Sequence, residues 1–347
     1  NVELLRGSMN PKLKASSYEK IKSGKAKLIV GTHALIQEKV EFKFIGFYII
    51  DEQHRFGVKQ RLTLRTKSEL NKNHEPHQLM MSATPIPRTL AMSYFADMNI
   101  SIINEMPPGR QIITTKVFSN ERRNEILDTI DQNCINGNQV YWVCPLIEES
   151  ETLQLETAEQ TFQDLSNYFS KHKVGLIHGR LSSKDKKEIM EEFKKNKIKI
   201  IVATTVIEVG VDVPNATLMV IENAERMGLS QLHQLRGRIG RGHKKSICIL
   251  LYQKKLSDIA KQRLKVIYEN IDGFKIAEED LKLRGPGEIL GLRQSGIPSL
   301  RIADLERDQK LLEIVKKDAD FLLEKRHEDV SMHINRWHRN YQDVGRS

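Results

Sequence analysis

The chain has 347 residues, 39% apolar and 29% charged, which provides for two or three ordinary cores and excludes disorder throughout. Its 55 Lys and Arg against 45 Asp and Glu leave a net charge of +10, a balance that suits a polyanionic partner without specifying one. The widely spaced Cys134, Cys144 and Cys248 form no C-x-x-C, which argues against a zinc site or disulfide framework, and no apolar run approaches the ~20 residues of a membrane span; the expectation is a soluble, cytoplasmic protein.

The chain opens on what reads as the tail of a strand, Asn1 to Arg6, followed by a basic helix and turn over Ser17 to Lys25. Lys27 to Val30 is a short apolar strand leading into Gly31-Thr32-His33. Such a step reads either as a plain turn or as a hydroxyl and backbone N–H groups offered to a phosphate. Phe47 to Ile50 is a second strand, and it delivers Asp51-Glu52-Gln53-His54 at its carboxyl end. One carboxylate beside nucleotide phosphates suffices for magnesium, which keeps most of its waters, and Asp51 fits that role. Glu52 is then placed to orient or deprotonate an attacking water, with Gln53 and His54 on the γ-phosphate side. Gln78 to Met81 is the next strand, with Ser82, Thr84 and two prolines in its exit loop.

Met106 to Arg110 (MPPGR) reads as a linker, after which strands and helices alternate. Strands are predicted over Ile112 to Phe118, Gln139 to Leu146 and Val174 to Ile177, with helices over Arg122 to Ile135 and Leu155 to Lys173. His178-Gly179-Arg180 closes the third strand, and Ser182-x-x-Asp185 is a capping box opening a helix to Lys195. The stretch from Lys199 to Gly242 organises the rest. Apolar Ile200 to Ala203 stops at Thr204-Thr205, a loop carries Gly210 and Asp212, and Leu218 to Ile221 is apolar again. It ends on Gln234-Leu-Arg236-Gly-Arg238-Ile-Gly-Arg241, where the spacing of Arg238 and Arg241 predicts one shared helical face. A permanently charged, forked guanidinium suits triphosphate oxygens. Ligands of such parallel sheets sit beyond the carboxyl ends of the strands. A last strand covers Ser246 to Tyr252, so the alternation describes a doubly wound domain.

Helices follow over Leu256 to Asn270 and Phe274 to Leu283. Arg284-Gly285-Pro286-Gly287-Glu288 breaks the second and, with the run through Arg293-Gln294, forms a helical hairpin with polar residues at its bend. Asp304 to Arg326 reads as a charged helix, and Ser331 to Ser347 gives no clear signal.

With DEQHRFGVKQR, MSATPIPRTLA, VCPLIEESE, the segment from Val206 to Gly242 and DLKLRGPGEILGLRQSGIP in this order, the chain resembles the superfamily 2 helicases, and among them the RecG family of branched-DNA translocases. The resemblance implies an α/β fold: two RecA-like parallel-sheet motor domains, the first truncated at its N-terminus, plus a C-terminal helical hairpin region. The expected divisions are 1–108 (partial RecA-like domain 1), 109–253 (RecA-like domain 2) and 254–347 (translocation hairpin and C-terminal region). It implies ATP and Mg2+ as cofactors. Asp51 and Glu52 become the Walker B pair, with Asp51 on the metal, Gly210, Asp212 and Gln234 join the nucleotide site, and Arg238 and Arg241 act as arginine fingers. Ser82 and Thr84 couple hydrolysis to motion. Gly31, Thr32, His33, His178, Gly179, Arg180, Thr204 and Thr205 match DNA-backbone motifs. Arg284, Gly285, Gly287, Glu288, Arg293 and Gln294 belong to the translocation hairpin. The implied activity is ATP-driven remodelling of stalled forks and Holliday junctions by a monomer on branched duplex DNA, with single-strand-binding protein as a further partner and no membrane.

The sequence departs from the family at one point: no G-x-x-x-x-G-K-[ST] loop is present, since Gly24-Lys25 is followed by Ala26. The expectation is therefore the C-terminal portion of a longer enzyme, without the wedge domain, inactive toward ATP by itself. Two other readings stay open: a duplex translocase like the transcription-repair coupling factor, and a non-catalytic nucleic-acid-binding module.

Overall fold

A computed structural model describes residues 1–53, 56, 60, 63, 67, 76–83, 99–103, 105–107, 109–145, 151–204, 212–284, 307–308 and 311–337. They fall into two compact units, one holding Asn1–Ala83 and the residues from Asp308 onward, the other holding Arg307 and the described residues within Thr84–Leu290.

In the first unit, β1 (Val2–Leu5) pairs in parallel with β2 (Leu28–Gly31), and β3 (Phe47–Ile50) with β4 (His77–Met80). Helix α1 (Pro11–Lys22) crosses from β1 to β2 and begins well before the expected Ser17. Its start follows from Asn10-Pro11: the Asn10 side chain accepts the Lys12 N–H at 3.0 Å, and proline at the first helical position loses no hydrogen bond. Leu5, Ile21, Ala34 and Val40 form a small core. Parallel strands normally bury both faces. Here the other faces stay exposed, with Val2, Leu4, Leu28, Val30, Phe47, Ile49 and Leu79 open to solvent within this chain. Helices α8 (Leu312–Lys325) and α9 (His327–Trp337) pack on each other. The second was not foreseen, although Val330, Ile334 and Trp337 keep a helical spacing among charged neighbours.

The second unit is a six-stranded, wholly parallel sheet in the order β5-β10-β9-β6-β8-β7. Its strands are β5 (Ile113–Ser119), β6 (Gln139–Val143), β7 (Val174–Ile177), β8 (Ile200–Ala203), β9 (Ala216–Ile221) and β10 (Ser246–Tyr252). Side chains alternate between two cores, as the two-residue period of a strand requires. Val140, Trp142, Ile200, Val202, Leu218 and Val220 face helices α2 (Arg123–Ile135) and α3 (Glu151–Tyr168). Tyr141, Val143, Ile201, Ala203, Met219 and Ile221 share the opposite core with Phe193 of α4 (Ser183–Lys194) and Leu232 of α5 (Leu229–Arg236). Leu264, Ile267 and Ile276 from α6 (Asp258–Glu269) and α7 (Gly273–Arg284) complete that second core. Helices on both faces explain why these strands read as unbroken apolar runs. Truncating the fully buried Trp142 to alanine should cost about 3–5 kcal/mol.

The capping box at α4 is present in its first half: Ser182 Oγ accepts the Asp185 N–H at 3.2 Å, and also donates to Asp185 Oδ2 at 2.7 Å.

Candidate functional site

Each unit assembles its own set of the predicted residues. In the first, β3 and β4 bring the acidic run and the serine loop side by side. Met81 donates its N–H to Ile50 O at 2.8 Å, and Gln53 returns the bond to Met81 O at 3.0 Å. Asp51 and Glu52 therefore leave the sheet next to Ser82. Asp51 is exposed, and its Oδ1 accepts the Glu52 N–H at 2.8 Å. Glu52 takes a left-handed backbone, φ 53°, which a residue with a Cβ adopts at a cost. His33 stacks on Phe56 with centroids 4.4 Å apart, joining the Gly31-Thr32-His33 step to the same loop. Gly31 has a packing reason as well, since a Cβ there would meet Leu5 O at 2.4 Å. Thr32 caps the short 3-10 helix His33–Ile36.

In the second unit the predicted residues divide between two edges of the sheet. Ile177, Ala203, Val143 and Ile221 stand level at the carboxyl edge, and His178, Thr204, Cys144 and Glu222 follow them in one row. The ladder continues through this row: Thr204 N–H to Ile177 O at 3.2 Å, Cys144 N–H to Ala203 O at 2.8 Å, Glu222 N–H to Val143 O at 2.9 Å. The Thr204 hydroxyl and His178 Nδ1 are buried with no hydrogen-bond partner. Burial lowers the His178 pKa, so the ring is neutral near pH 7. Lys186 braces the turn by donating to Gly179 O at 2.7 Å, and Arg180 is exposed beside it. Glu222 is buried and ion-paired with Arg123, whose guanidinium lies 4.7 Å from the Trp142 ring. A cavity of about 300 Å³ opens there between Asn120, Arg123, Thr161, Glu222, Asn223 and Gln253.

The arginines lie at the amino edge, not the carboxyl edge. Helix α5 stops at Arg236, so Arg238 and Arg241 do not share a helical face, contrary to the spacing argument. Gly237 caps the helix, and Gly240 turns the chain with φ +72°. A Cβ on Gly240 would sit 2.9 Å from Ile113 Cγ1, and one on Gly242 2.8 Å from Pro214 O, so both glycines permit close approach to segments entering β5 and β9. Arg110 donates to Gly237 O at 2.9 Å and Lys244 to Asn138 Oδ1 at 2.7 Å, fixing the segment across the starts of β5 and β6. Arg241 pairs with Asp212 at 3.9 Å. Arg238 and Arg241 both act on Tyr141, whose phenol burial pushes up. Gln234 is half-buried in the last turn of α5.

Arg236, the remaining arginine of the run, is buried and points inward, donating to Thr115 Oγ1, to the carbonyls of Ile267, Asn270 and Ile271, and to His233 Nδ1. Nothing in the spacing of RGRIGR separates it from Arg238 and Arg241. Arg110, Arg123 and Glu222 were likewise not singled out.

His54, Thr84, Thr205, Gly210, Gly285, Gly287, Glu288, Arg293 and Gln294 lie outside the described residues; Arg284 ends α7 and its side chain is not described. Among the described residues no group of three His, Cys, Asp or Glu could hold a metal ion. Asp51 fits magnesium only as a single carboxylate completed by phosphate and water.

Three family models match the chain: "DEAD/DEAH box helicase" over residues 2–93, "Helicase conserved C-terminal domain" over 121–243 and "ATP-dependent DNA helicase RecG, domain 3, C-terminal" over 270–340. The chain is 52% identical over 337 residues to the ATP-dependent DNA helicase RecG of Haemophilus influenzae, covering 97% of this chain and 48% of that protein. The chain belongs to the RecG family. The RecG of Escherichia coli K12 is 50% identical over 334 residues, covering 96% of this chain and 48% of that protein. A solved structure of RecG bound to a three-way DNA junction superimposes with a TM-score of 0.65 at 44% identity, covering 90% of this chain and 39% of that one. The chain thus spans about half the length of the curated RecG relatives it matches. Its α/β architecture of parallel sheets is that of the helicase domains, and the family is one of ATP-dependent enzymes. No described helix is long and apolar enough to cross a membrane.

Proposed function

We propose that this chain is the motor portion of an ATP-dependent DNA helicase that remodels stalled forks and Holliday junctions by translocating on branched duplex DNA. The observation that carries the reading is 52% identity to a RecG helicase across 97% of the chain.

In this reading the chain divides as 1–108, 109–253 and 254–347. Asp51 holds the magnesium of bound ATP, which neutralises charge on the phosphates. Glu52, held in a left-handed backbone conformation, positions and deprotonates the attacking water. Gln53 and His54 report on the γ-phosphate. Gln234, Gly210 and Asp212 complete the nucleotide site, where phosphate replaces Asp212 as the partner of Arg241. Arg238 and Arg241 then stabilise charge developing on the transferred phosphoryl group.

DNA phosphates meet Gly31, Thr32 and His33 in one unit and His178, Gly179, Arg180, Thr204 and Thr205 in the other. Ser82 and Thr84 carry the hydrolysis signal, and Arg284, Gly285, Gly287, Glu288, Arg293 and Gln294 convert it into movement of duplex. The match of residues 270–340 to a RecG-specific model favours this over a coupling-factor translocase.

The deciding experiment uses full-length protein containing this chain. Glu52→Gln should abolish DNA-stimulated ATP hydrolysis while junction binding persists; undiminished turnover would overturn the reading. The present chain, which has no G-x-x-x-x-G-K-[ST] loop, should show no turnover by itself. DNA-stimulated hydrolysis by the isolated chain that Glu52→Gln removes would contradict that.

A further inference from the structure

We infer that Arg110 is a positioning residue for phosphoryl transfer, holding the segment 237–241 so that Arg241 stands where a phosphate can replace Asp212. The inference rests on the reading that Arg238 and Arg241 meet nucleotide.

A tight turn places the side chain. Arg110 donates its N–H to Pro107 O at 3.2 Å, and Gly109 takes φ +81°, the left-handed conformation that the third residue of a type II turn requires. Gln111 and Ile112 then lead into β5. On this path residues 109–111 lie against the arginine segment and the residues just after it at three points. A Cβ on Gly109 would stand 3.0 Å from His243 Cε1, and one on Gly240 3.3 Å from Gln111 O. The third point is the bond from Arg110 Nη2 to Gly237 O at 2.9 Å. Gly237 caps α5, so its carbonyl lies beyond the helical ladder and takes its donor from elsewhere in the chain. Arg110 is that donor, and it fixes the backbone immediately before Arg238.

Charge adds to the geometry. Burial lowers the Arg110 pKa, Arg241 lowers it further, and Asp212 opposes both. A guanidinium keeps its charge at neutral pH all the same, so two like charges share one acidic neighbour. Arg241 reaches Asp212 only at 3.9 Å, beyond a good hydrogen bond. Two cations set against one loosely held carboxylate favour an anion of higher charge, and triphosphate oxygens provide it. The Arg110 hydrogen bond goes to the backbone of the segment, so its effect on phosphate passes through Arg241.

The test is a double-mutant cycle in full-length protein. Arg110→Ala should lower kcat for DNA-stimulated ATP hydrolysis about tenfold and change KM for ATP less than about twofold, the split expected when alignment is lost and uniform binding is kept. Arg110→Lys keeps a charged donor on a flexible stem and should recover part of the loss. Where Arg241 is already alanine, adding Arg110→Ala should lower kcat no further. An arginine that only stabilised the fold would multiply the two losses. Should Arg110→Ala fail to fold, Arg110→Lys takes its place in the cycle. Losses that multiply, unchanged kcat in the folded single variant, or a rise in KM as large as the fall in kcat would overturn the proposal. Arg241→Ala with unchanged turnover would instead sink the nucleotide reading beneath it.

Discussion

The two edges of the six-stranded sheet carry different candidate residues, arginines at the amino edge and the row His178, Thr204, Cys144 and Glu222 at the carboxyl edge. At the amino edge, the arginines are held by other protein groups, Arg110 by Gly237 O, Arg241 by Asp212 and Arg236 by carbonyls and a hydroxyl, while Gln139 Oε1 there is buried without a partner. At the carboxyl edge, Thr204 Oγ1 and His178 Nδ1 are buried without partners in a row whose backbone ladder is otherwise continued. Leaving a buried hydroxyl or ring nitrogen unpaired costs about 1–3 kcal/mol. Such a cost is expected where a ligand supplies the missing partner, whereas a pre-bonded network suits groups that must hold a fixed geometry. The six residues of β9 put roughly 20 Å between these edges.

The largest effect should come from the amino edge. In full-length protein, Arg241→Ala should lower ATP turnover by about 10³-fold, with junction affinity changed little. Equal losses in turnover and junction binding, followed in the same preparation, would erase the distinction between the edges.

Next is a pH effect on stability from His233. Its folded pKa of about 4 lies below the ordinary value of 6.5, so the unfolded chain binds the extra proton between those values. This contribution is complete above pH 6.5 and is lost as pH falls toward 4, an effect on the order of 2–3 kcal/mol. Chemical denaturation of wild type and His233→Gln at pH 7 and 5 measures it. The variant should show a flatter profile, and parallel profiles would remove His233 from the network.

Gly240→Ala should destabilise the second unit by about 1–3 kcal/mol, because alanine resists φ +72° and its methyl would press on Ile113. A melting temperature equal to wild type would show that the arginine segment is less firmly seated than its contacts imply.

The smallest effect should come from the carboxyl edge. Arg180→Ala should weaken duplex binding several-fold and reduce the salt dependence by about one counterion, with KM for ATP unmoved. A binding titration across salt concentrations reads this directly, and an altered KM with constant salt slope would place Arg180 on the nucleotide side.

Much of this was legible from local pattern. The strands of the second unit are apolar runs because helices cover both faces, and the capping serine and most helix bounds follow from local chemistry. The acidic pair at the end of β3 and the stop at Thr204 could also be placed, since a side chain that ends a parallel strand has to emerge at its carboxyl edge. The helical face assigned to Arg238 and Arg241 failed because periodicity knows nothing of Gly237 and Gly240, which end the helix to seat the chain against Ile113 and Pro214. The early start of α1 is set by Asn10-Pro11, a cap that the run of basic residues from Ser17 to Lys25 does not signal.

Sequence by itself determined the alternation of strands and helices, the candidate residues for phosphate chemistry and the family, because these depend on residue type and short spacing. Tertiary structure alone decided which arginine of RGRIGR turns inward, which edge of the sheet holds the others, and which buried polar atoms lack partners. Those outcomes depend on segments far apart in the chain, Thr115 and Ile267 around Arg236 above all, and no local pattern encodes a hydrogen bond closed over 121 or 31 residues.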